Sequence, residues 1–265
     1  MYIPGLVSVS FRKLSPDTLI DACVRSGLLA IEWGGDIHVP HGDVATARAV
    51  GEATRNAGLT VAAYGSYYRC DPTADQPDFA AVLASAQALG APLIRVWAGT
   101  AASAEATGDD RSRIAEDLRR IGEIAAKAGI QICIEYHANT LTDDPDSAAR
   151  LIEAVDHPNV KLYWQTSNGK SSDYSADVLR RLLPHVTHLH VFHWDFKDGE
   201  IDRRPLAEAV REWNTFLHIA TPNPPMQRCL LLEFVRDDSL DQLEGDALTL
   251  NALIARHQQE LGTQQ

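Results

Sequence analysis

Four times the chain leaves a helix-like segment through a glycine and enters an apolar run: at Ser26-Gly27-Leu28, Ala57-Gly58-Leu59, Leu89-Gly90-Ala91 and Ala128-Gly129-Ile130. Glycine fits the left-handed position just past a helix C-terminus, so each site marks a helix-to-strand junction. The runs that follow, Leu29 to Trp33, Thr60 to Tyr64, Pro92 to Trp97 and Ile130 to Glu135, are short and rich in Ile, Val and Leu. Parallel strands covered on both faces have that composition. Gly5 to Ser10, Val160 to Trp164, Val186 to Phe192 and Cys229 to Phe234 bring the count to eight. Helix starts fall between them at Ser15-Pro16, Asp43-Val44, Gln76-Pro77, Asp144-Pro145 and Arg204-Pro205. Proline suits the first helical position, and Ser or Asp before it can cap. Eight units in 265 residues allow about 33 each, the arithmetic of an α/β protein of the (β/α)8 TIM-barrel class, with residues 1–265 as a single domain. The rival, an open doubly wound sheet, lacks its usual support, because no Gly-x-Gly-x-x-Gly follows the first strand and no Walker-type loop occurs. The connection from Trp194 to Gln227 is expected to hold one helix and the Pro-rich stretch Thr221 to Pro225, as an elaborated loop over the barrel mouth.

Charge and composition narrow the partners. With 24 Lys+Arg against 36 Asp+Glu, the net charge is −12, which argues against a surface that neutralises nucleic-acid phosphates. A content of 45% hydrophobic and 23% charged residues is that of a globular chain able to bury a core. No run of 18 apolar residues occurs, so no membrane span is expected. The start Met1-Tyr2-Ile3-Pro4-Gly5 lacks the regions of a signal peptide, which makes the cytoplasm the expected location. Cys23, Cys70, Cys133 and Cys229 form no C-x-x-C pair and are expected to be small core residues in a reducing compartment. The sequence leaves a homo-oligomer open.

In a barrel of this kind the active site is assembled at the C-terminal ends of the strands. Four successive strands end on or carry Glu135, Gln165, His190 and Glu233 at a similar height. Alternation puts Cys133 with Glu135, His188 with His190, and Leu231 with Glu233 on common faces. If those faces point inward, the four polar residues converge. Two isolated carboxylates inside a barrel repel each other and are costly to desolvate, and a divalent cation resolves both problems. Mixed oxygen and imidazole ligands suit Mn, Mg, Co, Fe or Zn. Taken singly, a strand-end glutamate more often pairs with an arginine, and a strand histidine is more often a core residue. The coincidence on four successive strands favours a shared metal site. His188 is expected in a lower core layer, and Arg95 is expected to pair with Glu32 across the interior.

Ile134-Glu135-Tyr136-His137 with Leu141-Thr142-Asp143, His188-Leu189-His190-Val191-Phe192-His193-Trp194, and Leu231-Leu232-Glu233-Phe234-Val235 together resemble the xylose isomerase-like sugar phosphate isomerase/epimerase superfamily. Ile31-Glu32-Trp33-Gly34-Gly35-Asp36 with His38 is similar to its second-strand signature. The resemblance implies a metal set of Glu, Asp, His and Glu, carried here by Glu135, His190 and Glu233, with Gln165 at the Asp position. A neutral amide is a weaker ligand and removes one negative charge. The family's frequent His-x-Lys-Asp on the seventh strand is also absent, with Phe192 at the Lys position.

The resemblance further implies a divalent-metal-dependent isomerase or epimerase of a small sugar, sugar phosphate or polyol ketone. It would act through an enediolate, with Glu135 and Glu233 as the acid and base. A dehydratase of an inosose- or dehydroshikimate-like ketone would use the same parts. A non-catalytic sugar-binding protein with a weakened metal site is a reading from another class. An endonuclease IV-like repair enzyme would need further ligands, of which His38 and His41 supply a fragment, and the net charge opposes it. Around the mouth, His137 is the further candidate catalytic residue. Trp33, His38, Tyr64, Trp97, Phe192, His193, Trp194, Lys197 and Arg203 are the candidate substrate-binding residues, with Arg204 a weaker one.

Overall fold

The computed structural model describes residues 1–167, 169–197, 200–223 and 226–263. Eight parallel strands close into a barrel: β1 (Tyr2–Val7), β2 (Ala30–Gly34), β3 (Thr60–Gly65), β4 (Leu93–Val96), β5 (Gln131–Glu135), β6 (Val160–Trp164), β7 (Val186–Val191) and, after a hairpin, β10 (Arg228–Leu232). β10 pairs with both β7 and β1 and closes the ring. The outer layer comprises α1 (Pro16–Arg25), α2 (Val44–Asn56), α3 (Phe79–Leu89), α4 (Gly108–Lys127), α5 (Pro145–Val155), α6 (Ser172–Leu182), α7 (Val210–Ile219) and α8 (Leu240–Gly262). The chain is thus a (β/α)8 barrel. Among the described residues no helix is long and apolar enough to cross a membrane.

The junction glycines carry this architecture. Gly27, Gly58, Gly90 and Gly129 all have left-handed backbones, with φ between 67° and 80°, where a side chain would be strained. Ser15, Asp43 and Asp144 cap α1, α2 and α5 by accepting a backbone N–H two or three positions into the helix. The third helix begins later than Gln76-Pro77 suggests, because Asp78 supplies the cap. The first strand begins earlier than expected. Pro4 cannot donate to the ladder, but its carbonyl accepts from Leu29 N at 2.8 Å, so the strand runs through it.

The long connection after β7 differs more. It contains an antiparallel hairpin of β8 (His193–Lys197) and β9 (Glu200–Arg204) before α7. Asp198-Gly199, the dipeptide between these strands, is a hairpin signal in the sequence. Arg203 on β9 ties the hairpin to the chain after β10, donating to Asp238 Oδ1 at 2.7 Å and Val235 O at 3.4 Å.

Two packed layers result. The larger lies between sheet and helices, and the smaller fills the barrel interior with Val7, Ala30, Leu93, Cys133, Tyr163, Cys229 and Leu231 among others. All four cysteines are buried and free. The interior layer sets the parity of what lies above it. Ala30, Leu93, Cys133, Tyr163 and Leu231 each stand two residues before Glu32, Arg95, Glu135, Gln165 and Glu233, so with a period of two these five polar residues share the inward face.

Candidate functional site

At the C-terminal end of the barrel, His190 Nδ1 lies 3.4 Å from Glu135 Oε1, 3.2 Å from Glu233 Oε2 and 3.2 Å from Gln165 Oε1. All four side chains are buried, with His190 fully enclosed. Adjacent strands hold them at one height: His190 is in register with Leu231, and Glu233 N donates to Val191 O at 2.9 Å. On its other side, His190 Nε2 faces Glu32 Oε2 at 3.4 Å. With a cation bound, a proton on Nε2 directed at that carboxylate would leave the Nδ1 lone pair free to ligate it. Metal-binding histidines are commonly oriented in this way by a carboxylate behind the ring.

A buried ionic network supports the cluster from below. Arg95 donates through Nε to Glu32 Oε1 at 2.6 Å and through Nη1 to Glu135 Oε2, and Trp97 Nε1 also donates to Glu135 Oε2. Gly65 on β3 makes room for the pair, since a Cβ there would come within 2.7 Å of Arg95 Nη2 and 2.9 Å of Glu32 Oε1. Burial disfavours the charged form of both carboxylates, but Arg95, with His190 assisting, outweighs it and holds Glu32 and Glu135 below the ordinary carboxylate range.

The donor set fits a divalent cation. Glu233 Oε2 is buried without a hydrogen-bond partner despite its closeness to His190. Three carboxylates, Glu32, Glu135 and Glu233, against one guanidinium, Arg95, leave an excess of negative charge around His190; burial disfavours the charged imidazole, but Glu233 and Glu32 outweigh it and hold its pKa well above the ordinary histidine value in the metal-free site. That imbalance is costly in a low-dielectric interior and is cancelled by one divalent ion. Glu135 Oε1, Gln165 Oε1, His190 Nδ1 and Glu233 Oε2 are the atoms placed to hold it.

Above the cluster opens a cavity of about 340 Å³ lined by Arg12, Tyr67, Trp97, His137, Arg203 and Phe234 among others, with Arg95, Glu135 and Glu233 in its floor. His137 stacks on Trp97 with ring centroids 4.6 Å apart, and Arg69 lies 4.0 Å above the same indole. His137 Nδ1 donates to Ala138 O at 2.7 Å. A carbonyl can only accept, so Nδ1 carries a proton, and in the neutral ring the lone pair is on Nε2. Tyr67 holds a left-handed backbone (φ 55°) beside Trp97.

The structure does not bring every residue named from the sequence to this cavity. Trp33 donates to Thr54 Oγ1 on α2 at 3.1 Å, Tyr64 donates to Val39 O at 2.8 Å, and His38 is held between Ser8 Oγ and Leu14 O. All three are buried, Trp33 and Tyr64 in the layer between sheet and helices. The reason is parity: Trp33 follows inward Glu32, and Tyr64 precedes inward Gly65. Phe192, His193 and Trp194 line a neighbouring cavity of about 410 Å³ against α7, and Phe192 and Trp194 reach the mouth only by packing on Phe234. The side chain of Lys197 lies outside the described residues. Arg203 reaches the cavity, whereas Arg204 pairs with Asp202 and Glu208. His188 sits one layer down, tilted against Tyr163, and burial depresses its pKa to about 4. Arg95 pairs with Glu32 as its position suggested, but its second bond, to Glu135, had no sequence signal.

A family model described as xylose isomerase-like TIM barrel matches residues 20–242. The chain is 33% identical over 98 residues to the 3-dehydroshikimate dehydratase of Bacillus anthracis, covering 37% of this chain and 35% of that protein. It is 26% identical over 111 residues to the inosose dehydratase of Bacillus licheniformis, covering 42% and 35%. Each match thus spans about a third of the relative's length. Among solved structures, a probable 3-DHS dehydratase of petrobactin synthesis from Bacillus anthracis superposes with a TM-score of 0.77 at 21% identity, covering 95% of this chain and 99% of that one. D-psicose 3-epimerase from Clostridium cellulolyticum H10 does so with 0.71 at 16% identity, covering 96% and 98%. At these identities the likeness is one of fold.

Proposed function

The chain belongs to the xylose isomerase-like TIM-barrel family, and on that premise we propose that it is a divalent-metal-dependent dehydratase of a small hydroxylated ketone. The observation that carries this reading is the contrast between His137 and Glu135. Glu135 Oε2 is clamped by Arg95 and Trp97, which holds the carboxylate ionised and makes it a poor proton carrier. His137, two residues further on, lines the cavity with an unprotonated Nε2 and is suited to act as a general base.

A cation held by Glu135, Gln165, His190 and Glu233 would, when bound, polarise the substrate carbonyl. His137 Nε2 takes the proton from the carbon beside that carbonyl. The electron pair left behind moves toward the carbonyl, and its return expels the hydroxyl on the next carbon. The proton on His137 passes to that departing oxygen, so the products are a conjugated enone and water. One proton carrier on one face suffices. Trp97 fixes the ring plane of His137 by stacking, and Arg69 fixes Trp97 in turn.

Besides Arg95 in its floor, three cations line the cavity. Arg12 is engaged by Asp36 and Arg203 by Asp238, while Lys13, exposed at the rim, has no ion pair among the described residues. This supports a substrate that carries a carboxylate or phosphate.

An isomerase or epimerase is the second reading, favoured by Glu233 Oε2, which is buried without a hydrogen-bond partner in the floor of the cavity. Epimerisation needs a proton carrier on each face of the substrate, and the Arg95 clamp disfavours Glu135 in that role. The test is to incubate the Mn-loaded protein with carboxylated hydroxy-ketones in deuterated water. Growth of enone ultraviolet absorbance, lost in His137→Asn, supports dehydration. Deuterium entering recovered or isomerised substrate without any enone assigns the site to isomerisation, and binding with neither change assigns it to a non-catalytic sugar-binding protein.

A further inference from the structure

We propose that His218, His257 and Glu260 form a second cation site, of the zinc class, at the end of the barrel opposite its mouth. His218 is in the last turn of α7, and His257 and Glu260 stand one turn apart on α8. The cluster packs on the start of the first strand: Tyr2 lies 5.5 Å from His257 between ring centroids, and its hydroxyl donates to Leu217 O at 2.6 Å. One ring nitrogen of each histidine and one Glu260 oxygen lie within 4.8 Å of one another.

Hydrogen bonding fixes the tautomer of both imidazoles. His218 Nδ1 lies 2.7 Å from Asn214 O, a carbonyl that can only accept, so Nδ1 carries the proton and Nε2 the lone pair. That lone pair faces Glu260 Oε2 at 2.9 Å. Two acceptors at this distance require a proton or a metal ion between them, and Glu260 Oε2 has no hydrogen-bond partner. Its other oxygen is engaged by Arg256 at 3.0 Å.

The third donor distinguishes a metal from a proton. The single hydroxyl hydrogen of Thr221 is directed to the His218 and Leu217 carbonyls, so Thr221 Oγ1 accepts from His257 Nε2 at 3.1 Å. His257 Nδ1 is then unprotonated, and it is buried without a partner in a side chain only 1% exposed. A proton shared by His218 and Glu260 leaves this nitrogen orphaned, whereas a metal ion bound through it as well as through His218 and Glu260 would leave none of the three without a partner. In both histidines the nitrogen remote from the site donates to an oxygen, the outer arrangement typical of metal-ligating imidazoles. Two imidazoles and one carboxylate suit zinc and related borderline cations, with a coordination position left open to water.

The experiment is calorimetric titration of the metal-free protein with zinc chloride. Glu135→Gln, which weakens the barrel-mouth set, separates the two sites. In that background zinc binds with about one equivalent, and adding His218→Asn or Glu260→Gln weakens this binding at least about tenfold. Both substituted positions are partly exposed, so the fold is retained, as circular dichroism checks. Zinc binding in the Glu135→Gln background that neither substitution weakens, or no binding there at all, overturns the proposal. Neither result depends on the reaction assigned to the mouth.

Discussion

Arg95 and Glu135 meet at the floor of the barrel mouth, both buried, through a guanidinium that also binds Glu32. One cation therefore compensates two of the three buried carboxylates in the site. It also separates their roles, since Glu135 is fixed in place while Glu233 keeps an oxygen without a partner.

Replacing Arg95 with Met leaves Glu32 and Glu135 buried without their countercharge. Removing one member of a buried pair typically costs about 3–5 kcal/mol. Urea unfolding of the metal-free protein at neutral pH should show a loss of that size. A loss under about 1 kcal/mol would mean that the two carboxylates are not held ionised by Arg95.

Asp71 gives the fold a pH dependence of its own. Its carboxylate accepts from Arg113 Nε at 2.9 Å and from the backbone and hydroxyl of Thr73. The Arg113 hydrogen bond, opposed by burial and assisted by Thr73, holds its pKa below the usual value. A depressed folded-state pKa contributes stability that is present above the unfolded value and is lost as the pH falls through the folded one. Asp71→Asn should be less stable than wild type by about 1–3 kcal/mol at pH 7. The gap should close as the pH falls below about 4. Parallel denaturation curves over the whole range would refute the assignment.

Gln165→Asp adds a charged oxygen beside His190 and should tighten Mn²⁺ binding, although the shorter side chain must reach the same point. Titration calorimetry measures the change directly. Weaker or unchanged affinity would remove Gln165 from the ligand set.

His137→Asn keeps a polar side chain but cannot accept a proton at neutral pH. Turnover should fall about 10²- to 10⁴-fold, with Mn²⁺ affinity unchanged because His137 is not among the ligand atoms. A variant as fast as wild type would assign the base elsewhere.

Legibility in the sequence followed the range of the interaction. Gly27, Gly58, Gly90 and Gly129 report a backbone condition that each residue meets locally, and they mark the barrel. Glu135, Gln165, His190 and Glu233 are visible because each ends or follows an apolar run, and period-two alternation then predicts a common face. Trp33 and Tyr64 also stand at strand ends, but their side depends on which neighbour faces inward. That is decided by the space Gly65 leaves for Arg95 and Glu32. The Arg95 bond to Glu135 joins residues 40 positions apart, and no local pattern encodes it. The hairpin at His193–Lys197 and Glu200–Arg204 lies in the connection that the sequence presents as an elaborated loop with one helix, because its short polar strands carry no apolar run of the kind that marks the barrel strands.

The central claim is that four strand ends hold one divalent ion, and anomalous scattering from crystals grown with Mn²⁺ tests it most directly. The account predicts a single strong peak at the mouth with Glu135 Oε1, Gln165 Oε1, His190 Nδ1 and Glu233 Oε2 each at about 2.0–2.4 Å from it. If saturating Mn²⁺ leaves no peak between these atoms, with His190 doubly protonated and bridging Glu32 to Glu233, the cluster is a buried ion-pair network and the metal-dependent reading fails.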